Sequence, residues 1–496
     1  MSAGQREHIP LTVDTLTETE KHRALHIAVD GLRETDPSRS ASVAVVGWQR
    51  LTAWTLLAVI VVCLILWPMG TIVTLIGLCT LGYVLTMVDR VLIFRTGLAT
   101  RPIVVTDEEA LAIPDAHLPL YTILVPAYNE PEVVADLIGS MAALNYPKAK
   151  LQILLLLEAD DEATISAAQQ CAEVDTITIV LVPPAEPRTK PKACNYGLQF
   201  ATGEIVTIYD AEDLPEPLQL RRVVAVFDRL PDNIACVQAK LAYHNGHQNI
   251  LTGWFTAEYA LWFGYLLPGL MRSNSPIPLG GTSNHLLHPV LDKIGAWDPH
   301  NVTEDADLGL RIAASGYQTA IVDSQTLEEA NSDPVNWVRQ RSRWYKGYLQ
   351  TWLVQMRHPR KLLHTIGFRN FLRFNLVLAG TPIIAVLNLM FWLITMFWFL
   401  GQPALIEAVF PWYIYFPALV CLVLGNAATI YMNLITLWED DRADLLWPAL
   451  TVPAFWLMMS VAAAKGTYQL IRNPSYWEKT FHGLTDSPGQ AKEAAT

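Results

Sequence analysis

Tyr121-Thr122-Ile123-Leu124-Val125-Pro126-Ala127-Tyr128-Asn129-Glu130 marks the point where long apolar runs give way to short ones. Tyr121 to Val125 reads as a buried strand, and Pro126 to Glu130 as the polar turn that ends it. The alternation continues downstream. Pro131–Leu144 reads as a helix, Leu151–Leu157 as a second strand and Ala163–Glu173 as a helix. Thr176–Val182 is a third strand, and Ile205–Tyr209 a fourth that ends at Asp210. Strands separated by helices predict a parallel sheet with helices on both faces, whose ligands sit at the carboxyl ends of the strands. Acids collect there: Glu158, Asp160 and Asp161 after the second strand, and Asp210, Glu212 and Asp213 after the fourth.

Outward from this α/β segment the chain is membranous. Of 496 residues, 52% are hydrophobic and 16 are Trp, which requires long apolar runs. Leu51–Pro68 and Thr71–Val88 are two such runs, broken at Met69-Gly70, and a span takes about 20 residues. Arg33, Arg39 and Arg50 precede the pair, and Arg90, Arg95 and Arg101 follow it, so both flanks are expected in the cytoplasm. The expected organisation is then a flexible cytosolic tail (1–45), a transmembrane hairpin (46–95), a cytosolic α/β domain (96–357) and an interfacial amphipathic helix (358–373). A C-terminal transmembrane region (374–472) and a short tail (473–496) complete it. Apolar spans fall at about Asn375–Leu400, Trp412–Trp438 and Leu445–Ile471. We expect an even number of crossings with a cytoplasmic tail: either Pro448 and Pro453 make the last stretch re-entrant or interfacial, or Asn375–Leu400 with its preceding residues hides a broken pair. A net charge of -12 excludes a nucleic-acid surface, which needs a basic face. The six Cys include no CxxC spacing, which argues against a zinc site or disulfide scaffold.

Four clusters carry chemistry. Asp210-Ala211-Glu212-Asp213 places three carboxylates in four residues, and a divalent cation bridging a nucleotide diphosphate would relieve their repulsion. The bland alternative is a helix N-terminus whose dipole the acids complement. Arg188, Lys190 and Lys192 lie close enough in sequence to grip phosphates. Glu158 and Asp160 are placed to hydrogen-bond a base or ribose, with simple surface-loop acids as the alternative. Gly280-Gly281-Thr282-Ser283-Asn284-His285 is a Gly-rich turn that allows close backbone approach to a sugar acceptor, or is simply a turn. Thr303-Glu304-Asp305 precedes a helical run, with Thr303 as N-cap. Capping alone explains these residues, yet it also leaves a carboxylate at a pocket edge, as a general base for a sugar hydroxyl requires. Gln340-Arg341-Ser342-Arg343-Trp344 follows. Adjacent residues do not share a helical face, so Arg343 is free to neutralise a diphosphate while Trp344 offers a flat surface to a sugar ring; interfacial snorkelling is the alternative.

The Pro-Ala-Tyr-Asn-Glu strand end, the DxD-like cluster, Thr-Glu-Asp and Gln-x-x-Arg-Trp, flanked by spans, together resemble the processive family 2 membrane glycosyltransferases: cellulose, chitin and hyaluronan synthases and related bacterial β-glycan synthases. The resemblance covers about residues 118–355 plus the membrane layout. It implies a Rossmann-like GT-A domain between transmembrane helices of a bacterial inner membrane. It further implies an inverting hexosyltransferase that uses a UDP- or GDP-sugar and Mg2+ or Mn2+, extends a growing glycan and works with the lipid bilayer and a periplasmic export partner. By that resemblance Ala127, Tyr128, Glu130, Glu158, Asp160 and Lys192 bind the nucleotide, and Asp210 and Glu212 the metal. Asp305 is the catalytic base. Thr303, Glu304, Ser283, Asn284, Gln340, Arg343 and Trp344 hold the acceptor end and diphosphate, and Trp477, Lys479 and Thr480 belong to a gating segment. The runner-up is a transferase that adds one sugar to a lipid or polyprenyl phosphate. The sequence departs from the family pattern at DAED, where Glu212 or Asp213 is the second metal ligand, and at Glu-Ala-Asp-Asp after the second strand.

Overall fold

The computed structural model describes residues 17–170, 177–401, 403–474, 476 and 478. Its centre is an eight-stranded sheet: β1 (Tyr121–Ala127), β2 (Leu151–Glu158), β3 (Ile177–Val182), β4 (Ile205–Ile208), β5 (Leu214–Pro215), β6 (Ile234–Tyr243), β7 (Asn284–Leu287) and β8 (Gln318–Glu328). The spatial order is β3-β2-β1-β4-β7-β6-β8-β5. The four strands expected from the sequence form the parallel half. They read as unbroken apolar runs because both faces are covered; Tyr121 to Val125 are all buried. The expectation of a wholly parallel sheet is corrected: β7 runs antiparallel to β4 and β6, and β5 antiparallel to β8. β7 is only four residues, two of them polar, so its sequence carries no strand pattern.

The first described helix, α1 (Glu18–Thr35), overturns the reading of residues 1–45 as a flexible tail over that stretch. Thr17 and Glu20 form a capping box, and Ala24, Ala28, Gly31 and Leu32 make a buried stripe. The stripe is built of small residues, so its hydrophobic periodicity is faint. Beyond the helix, Ser40 and the Ala41 amide donate to the Asp298 carboxylate. The Arg357 guanidinium donates to the carbonyls of Pro37 and Ser38, each at 3.0 Å.

Five helical stretches are long and apolar enough to cross a membrane. The first two are α2 (Gly47–Leu66) and α3 (Pro68–Thr100), the expected hairpin, with α3 running further than expected. The helices that carry the interior of the α/β domain follow: α4 (Lys190–Leu198), α5 (Ile250–Leu261), α6 (Glu304–Ala314) and α7 (Pro334–Gln355). The third apolar stretch, Pro359–Phe399, bends at Gly367 and contains α8 (Pro359–Phe374) and α9 (Thr381–Phe399). The fourth is α10 (Trp412–Glu439) and the last contains α11 (Leu446–Arg472).

α11 differs from the others. Near its start the Trp254 indole of α5 donates to the Thr451 hydroxyl at 3.0 Å. Near its end Gly466 lies against α7, where a Cβ would stand 2.5 Å from the Ser342 carbonyl oxygen. Both ends of α11 therefore rest on the α/β domain. The turn before it is tied to the same domain, with Glu439 accepting from Tyr265 at 2.9 Å and Asp444 pairing with His247 at 2.9 Å.

α6 is seated by one close approach. A Cβ at Gly309 would lie 2.1 Å from the Ile277 carbonyl oxygen, and backbone cannot give way as a flexible side chain can. Gly309→Ala should cost about 1–3 kcal/mol through overpacking. A thermal melt of the purified protein in detergent is expected to move down by several degrees; an unchanged midpoint would show that the contact relaxes freely.

Candidate functional site

The carboxyl ends of β1, β2 and β4 open onto one cavity of about 620 Å³, within the usual range for ligand pockets. It extends from Ala127 and Tyr128, past Asp210 and Asp305, to Thr381, Thr429 and Trp456 on the C-terminal apolar helices.

At the outer end, Asn129 holds the turn after β1 with φ 54°, a left-handed conformation that Asn tolerates. Its amide donates to Asp161, which also accepts from the Thr164 amide at 3.2 Å. Asp161 thus shapes the turn. Tyr128 and Glu130 line the cavity. Arg188 donates to the Tyr128 hydroxyl at 3.0 Å and to Asp160 at 2.7 Å, leaving Asp160 at the exposed mouth.

Lys192 is not at the cavity wall. Its ammonium is fully buried 2.7 Å from Glu158 and also donates to the Pro183 carbonyl. That burial corrects the expectation of a nucleotide contact for Lys192; Lys190, named with it as a phosphate grip, is the lysine at the cavity wall. Two residues apart on α4 means nearly opposite faces, so only one of these lysines can point at a phosphate. Lys190 donates to Asp210 and to the Gly281 carbonyl at 2.8 Å. Burial works against its proton, but the Asp210 and Glu304 carboxylates outweigh that and raise its pKa.

Asp210 and Glu212 both line the cavity, whereas Asp213 is turned inward. Asp213 accepts from the Asp210 amide at 2.7 Å and from the Thr282 hydroxyl. Glu328 reaches the same corner, and burial followed by the charges of Asp213, Asp210 and Glu212 raises its pKa well above the usual range. This excess of carboxylate oxygen over the single Lys190 ammonium fits a hard divalent cation. Among the described residues no three His, Cys, Asp or Glu side chains converge as a complete cage. Cations that bind through one or two carboxylates and substrate phosphates do not need one.

The Gly-rich turn departs from expectation. Ser283 and Asn284 are buried beneath it; Ser283 donates to Thr326 at 2.6 Å and the Asn284 amide to the Gly280 carbonyl at 2.8 Å. They are not at the wall, and the cavity meets Gly280, Gly281 and Thr282 instead. A Cβ at Gly281 would stand 3.5 Å from the Asp305 carboxylate, so glycine leaves the acid uncrowded.

Thr303 begins α6 without a side-chain cap, correcting that expectation. Its hydroxyl, which forms no hydrogen bond, is pressed against α7 at Gly347, where a Cβ would lie 2.4 Å away. Asp305 accepts from the Ala306 amide at 2.8 Å. Burial, then the charge of Asp305, raises the Glu304 pKa. Burial also raises that of Asp305, while Lys190 and Arg343 pull it back. Both adjacent acids are thus shifted in the same direction, toward their neutral forms, chiefly by burial.

On α7, Arg343 donates to the Val302 carbonyl at 3.2 Å and is drawn electrostatically to Glu304 and Asp305. Gln340 lines the cavity and accepts from Asn331 at 3.2 Å. Trp344 stacks with Tyr259, 6.3 Å between centroids. Arg341 is a site residue that motif reading passed over. It binds Glu258 with both terminal nitrogens and lies 4.5 Å from the Trp344 ring centroid. Glu258 is a lone acid in the apolar run Leu251–Leu267, which was the available signal. Trp477, Lys479 and Thr480 lie outside the described residues. Next to them, the Tyr476 carbonyl accepts from Lys346, and Glu478 pairs with Lys465 at 2.7 Å.

Residues 119–347 match the family described as "Glycosyltransferase like family 2", and the α/β domain has the GT-A glycosyltransferase fold. Relatives include a probable glycosyltransferase of Bacillus subtilis, 26% identical over 47% of this chain and 56% of that protein. A β-monoglucosyldiacylglycerol synthase of Trichormus variabilis is 27% identical over 48% of this chain and 50% of that one. A probable glucomannan 4-β-mannosyltransferase of Oryza sativa is 27% identical over 46% and 40%. The chain thus spans about half the length of the curated relatives it matches. Among solved structures, a mannosyltransferase of Pyrobaculum calidifontis in complex with GDP-Man and Mn2+ is 18% identical, with TM-score 0.47, over 81% of this chain and 99% of that one.

Asp305→Asn should abolish turnover while leaving donor binding, measured calorimetrically, largely intact; equal loss of both would make Asp305 a donor ligand or a structural residue. Gly347→Ala should displace the Thr303–Asp305 segment. Turnover should fall on the order of 10²-fold, the cost of about 1 Å of misplacement, with donor affinity retained. Wild-type turnover in that variant would show that the segment absorbs the push.

Proposed function

We propose that the chain is an inverting hexosyltransferase of a bacterial inner membrane, with its catalytic domain cytoplasmic, that polymerises a β-linked polysaccharide from a UDP- or GDP-sugar and passes it into its own membrane region. One observation carries this reading. Asp305 lies between the Lys190–Asp210 pair and Arg343 on a cavity that continues without a break along Trp344 to the membrane helices.

In the proposed reaction an acceptor hydroxyl oxygen attacks the anomeric carbon and the bond from that carbon to the diphosphate oxygen breaks. Asp305 takes the hydroxyl proton, and Lys190 and Arg343 neutralise the charge that develops on the departing diphosphate. Asp210 and Glu212 would hold Mg2+ or Mn2+, which when bound adds positive charge at the diphosphate. Tyr128, Glu158 and Arg188 border the nucleotide end. Gln340, Trp344 and Tyr259 border the acceptor end, where an aromatic wall suits a sugar ring. Inversion follows from one in-line displacement with no covalent enzyme intermediate.

Because both ends of α11 rest on the catalytic domain, the proposed crossings are α2, α3, the 375–399 stretch and α10. That even number keeps the segment around Glu478 on the catalytic side, consistent with the Lys346–Tyr476 and Lys465–Glu478 contacts.

A second reading, transfer of a single sugar to a lipid, draws support from the apolar wall at the membrane end of the cavity and from the relatives named as glycolipid synthases. Membranes containing the protein, incubated with radiolabelled UDP- and GDP-sugars, distinguish the two. A high-molecular-weight, glycanase-sensitive product is expected. A chloroform-soluble product would replace the first reading with the second, and no product from any donor would overturn both.

A further inference from the structure

The membrane end of the cavity contains a charge that sugar transfer does not use. Arg90 lines it, on α3, two residues beyond the apolar run Thr71–Val88 and therefore at the depth of lipid headgroups. The acids that could neutralise it are committed elsewhere. Asp89 pairs with Arg373 at 2.8 Å, and Arg373 also donates to Ser275. Glu258 is the acid that Arg90 feels most strongly, yet its carboxylate is held by both terminal nitrogens of Arg341. Arg90, Arg341 and Glu258 together carry a net positive charge. Among the described residues Arg90 forms no ion pair, and its Nε is buried without a hydrogen-bond partner.

One turn earlier on the same helix face, the Thr86 hydroxyl also lines the cavity and is buried without a partner. A serine or threonine in an apolar helix commonly donates to the carbonyl four residues back, as Thr80 does to Ile76 at 2.9 Å. Thr86 does not. Two unsatisfied groups thus face one space, a cost that a ligand would remove. The same cavity is lined by apolar side chains, among them Ile93, Leu266, Leu376, Val377, Phe455 and Met459, interrupted by Thr381, Thr429 and Asn433. Cationic donor, hydroxyl and apolar wall together describe a ligand with an anionic head and a hydrocarbon body. A guanidinium suits phosphate, which accepts its planar fork.

We propose that the membrane end of the cavity binds the phosphate headgroup of a membrane lipid, with Arg90 and Thr86 as its donors. The site stands whichever product the enzyme makes, since neither donor takes part in sugar transfer. The same cavity leads from Arg90 past Glu258 and Tyr348 to Asp305, so a lipid held there lies on the acceptor's path.

Binding is measured on the full chain in phosphatidylcholine nanodiscs, without nucleotide sugar, by quenching of tryptophan fluorescence; Trp262, Trp344 and Trp456 line the cavity. The probes are phosphatidic acid and diacylglycerol with identical brominated acyl chains. Phosphatidic acid should half-saturate the quench at a concentration at least tenfold lower than diacylglycerol. Arg90→Gln should erase that preference, Thr86→Val should weaken it, and Arg90→Lys should keep most of it. Arg95→Gln, on an exposed position of the same helix, should leave it intact. A preference that survives Arg90→Gln would overturn the proposal, as would equal quenching by the two lipids in the wild type. Displacement of phosphatidic acid by millimolar inorganic phosphate alone would assign the anion to a soluble source and overturn the lipid part. Arg90→Gln should melt no lower than the wild type, because it removes an uncompensated charge; a lower melt with the preference intact would make Arg90 structural. Because no donor sugar is present, failure here is separable from failure of the transferase reading.

Discussion

A single ammonium group keeps the catalytic corner together. Lys190 touches the Asp210 carboxylate and the Gly281 carbonyl, joining the end of β4 to the turn before β7, and it is the cation nearest a cluster of Asp210, Glu212, Asp213 and Glu328. Carboxylates buried this close destabilise one another unless something positive stands among them. The arrangement tolerates its own repulsion only in part, since Glu328 and Glu304 are driven toward their neutral forms by burial and by their neighbours. A corner with that much unspent negative charge suits a further cation, the role proposed above for Asp210 and Glu212.

How much of this was legible depended on whether the deciding force was local. β1 to β4 were readable because each is a continuous apolar run between polar turns, and the acids at their ends followed from that register. α1 was not, because its buried face is Ala24, Ala28 and Gly31, residues that say little about burial until a partner surface exists. β7 was hidden for a related reason: Asn284 and His285 belong to a strand only because β4 and β6 lie on either side. At the site, Asp210, Glu212, Asp305 and Arg343 could be picked from their motifs, and all four border the cavity. The choice between Lys190 and Lys192 turned on where α4 begins, and the burial of Ser283 and Asn284 on which side of a turn faces the sheet. Neither is written in residue type.

The membrane helices and the catalytic domain share one interior. Arg373 on α8 donates to Ser275 of the α/β domain at 2.9 Å, Arg101 at the end of α3 donates to Tyr265 at 2.6 Å, and a Cβ at Gly269 would stand 2.2 Å from the Ile93 carbonyl oxygen of α3. Contacts of this kind tie the two regions together at these points.

One glycine on α7 and one on α11 extend that consequence. Gly347 admits Thr303 on one side, and the backbone at Ser342 and Lys346 admits Gly466 of α11 on the other. The second contact is backbone to backbone, and the first sets the short Thr303 side chain against the α7 backbone. A displacement of α11 therefore meets little slack before it reaches α7, and α7 in turn abuts the start of α6, where Asp305 lies.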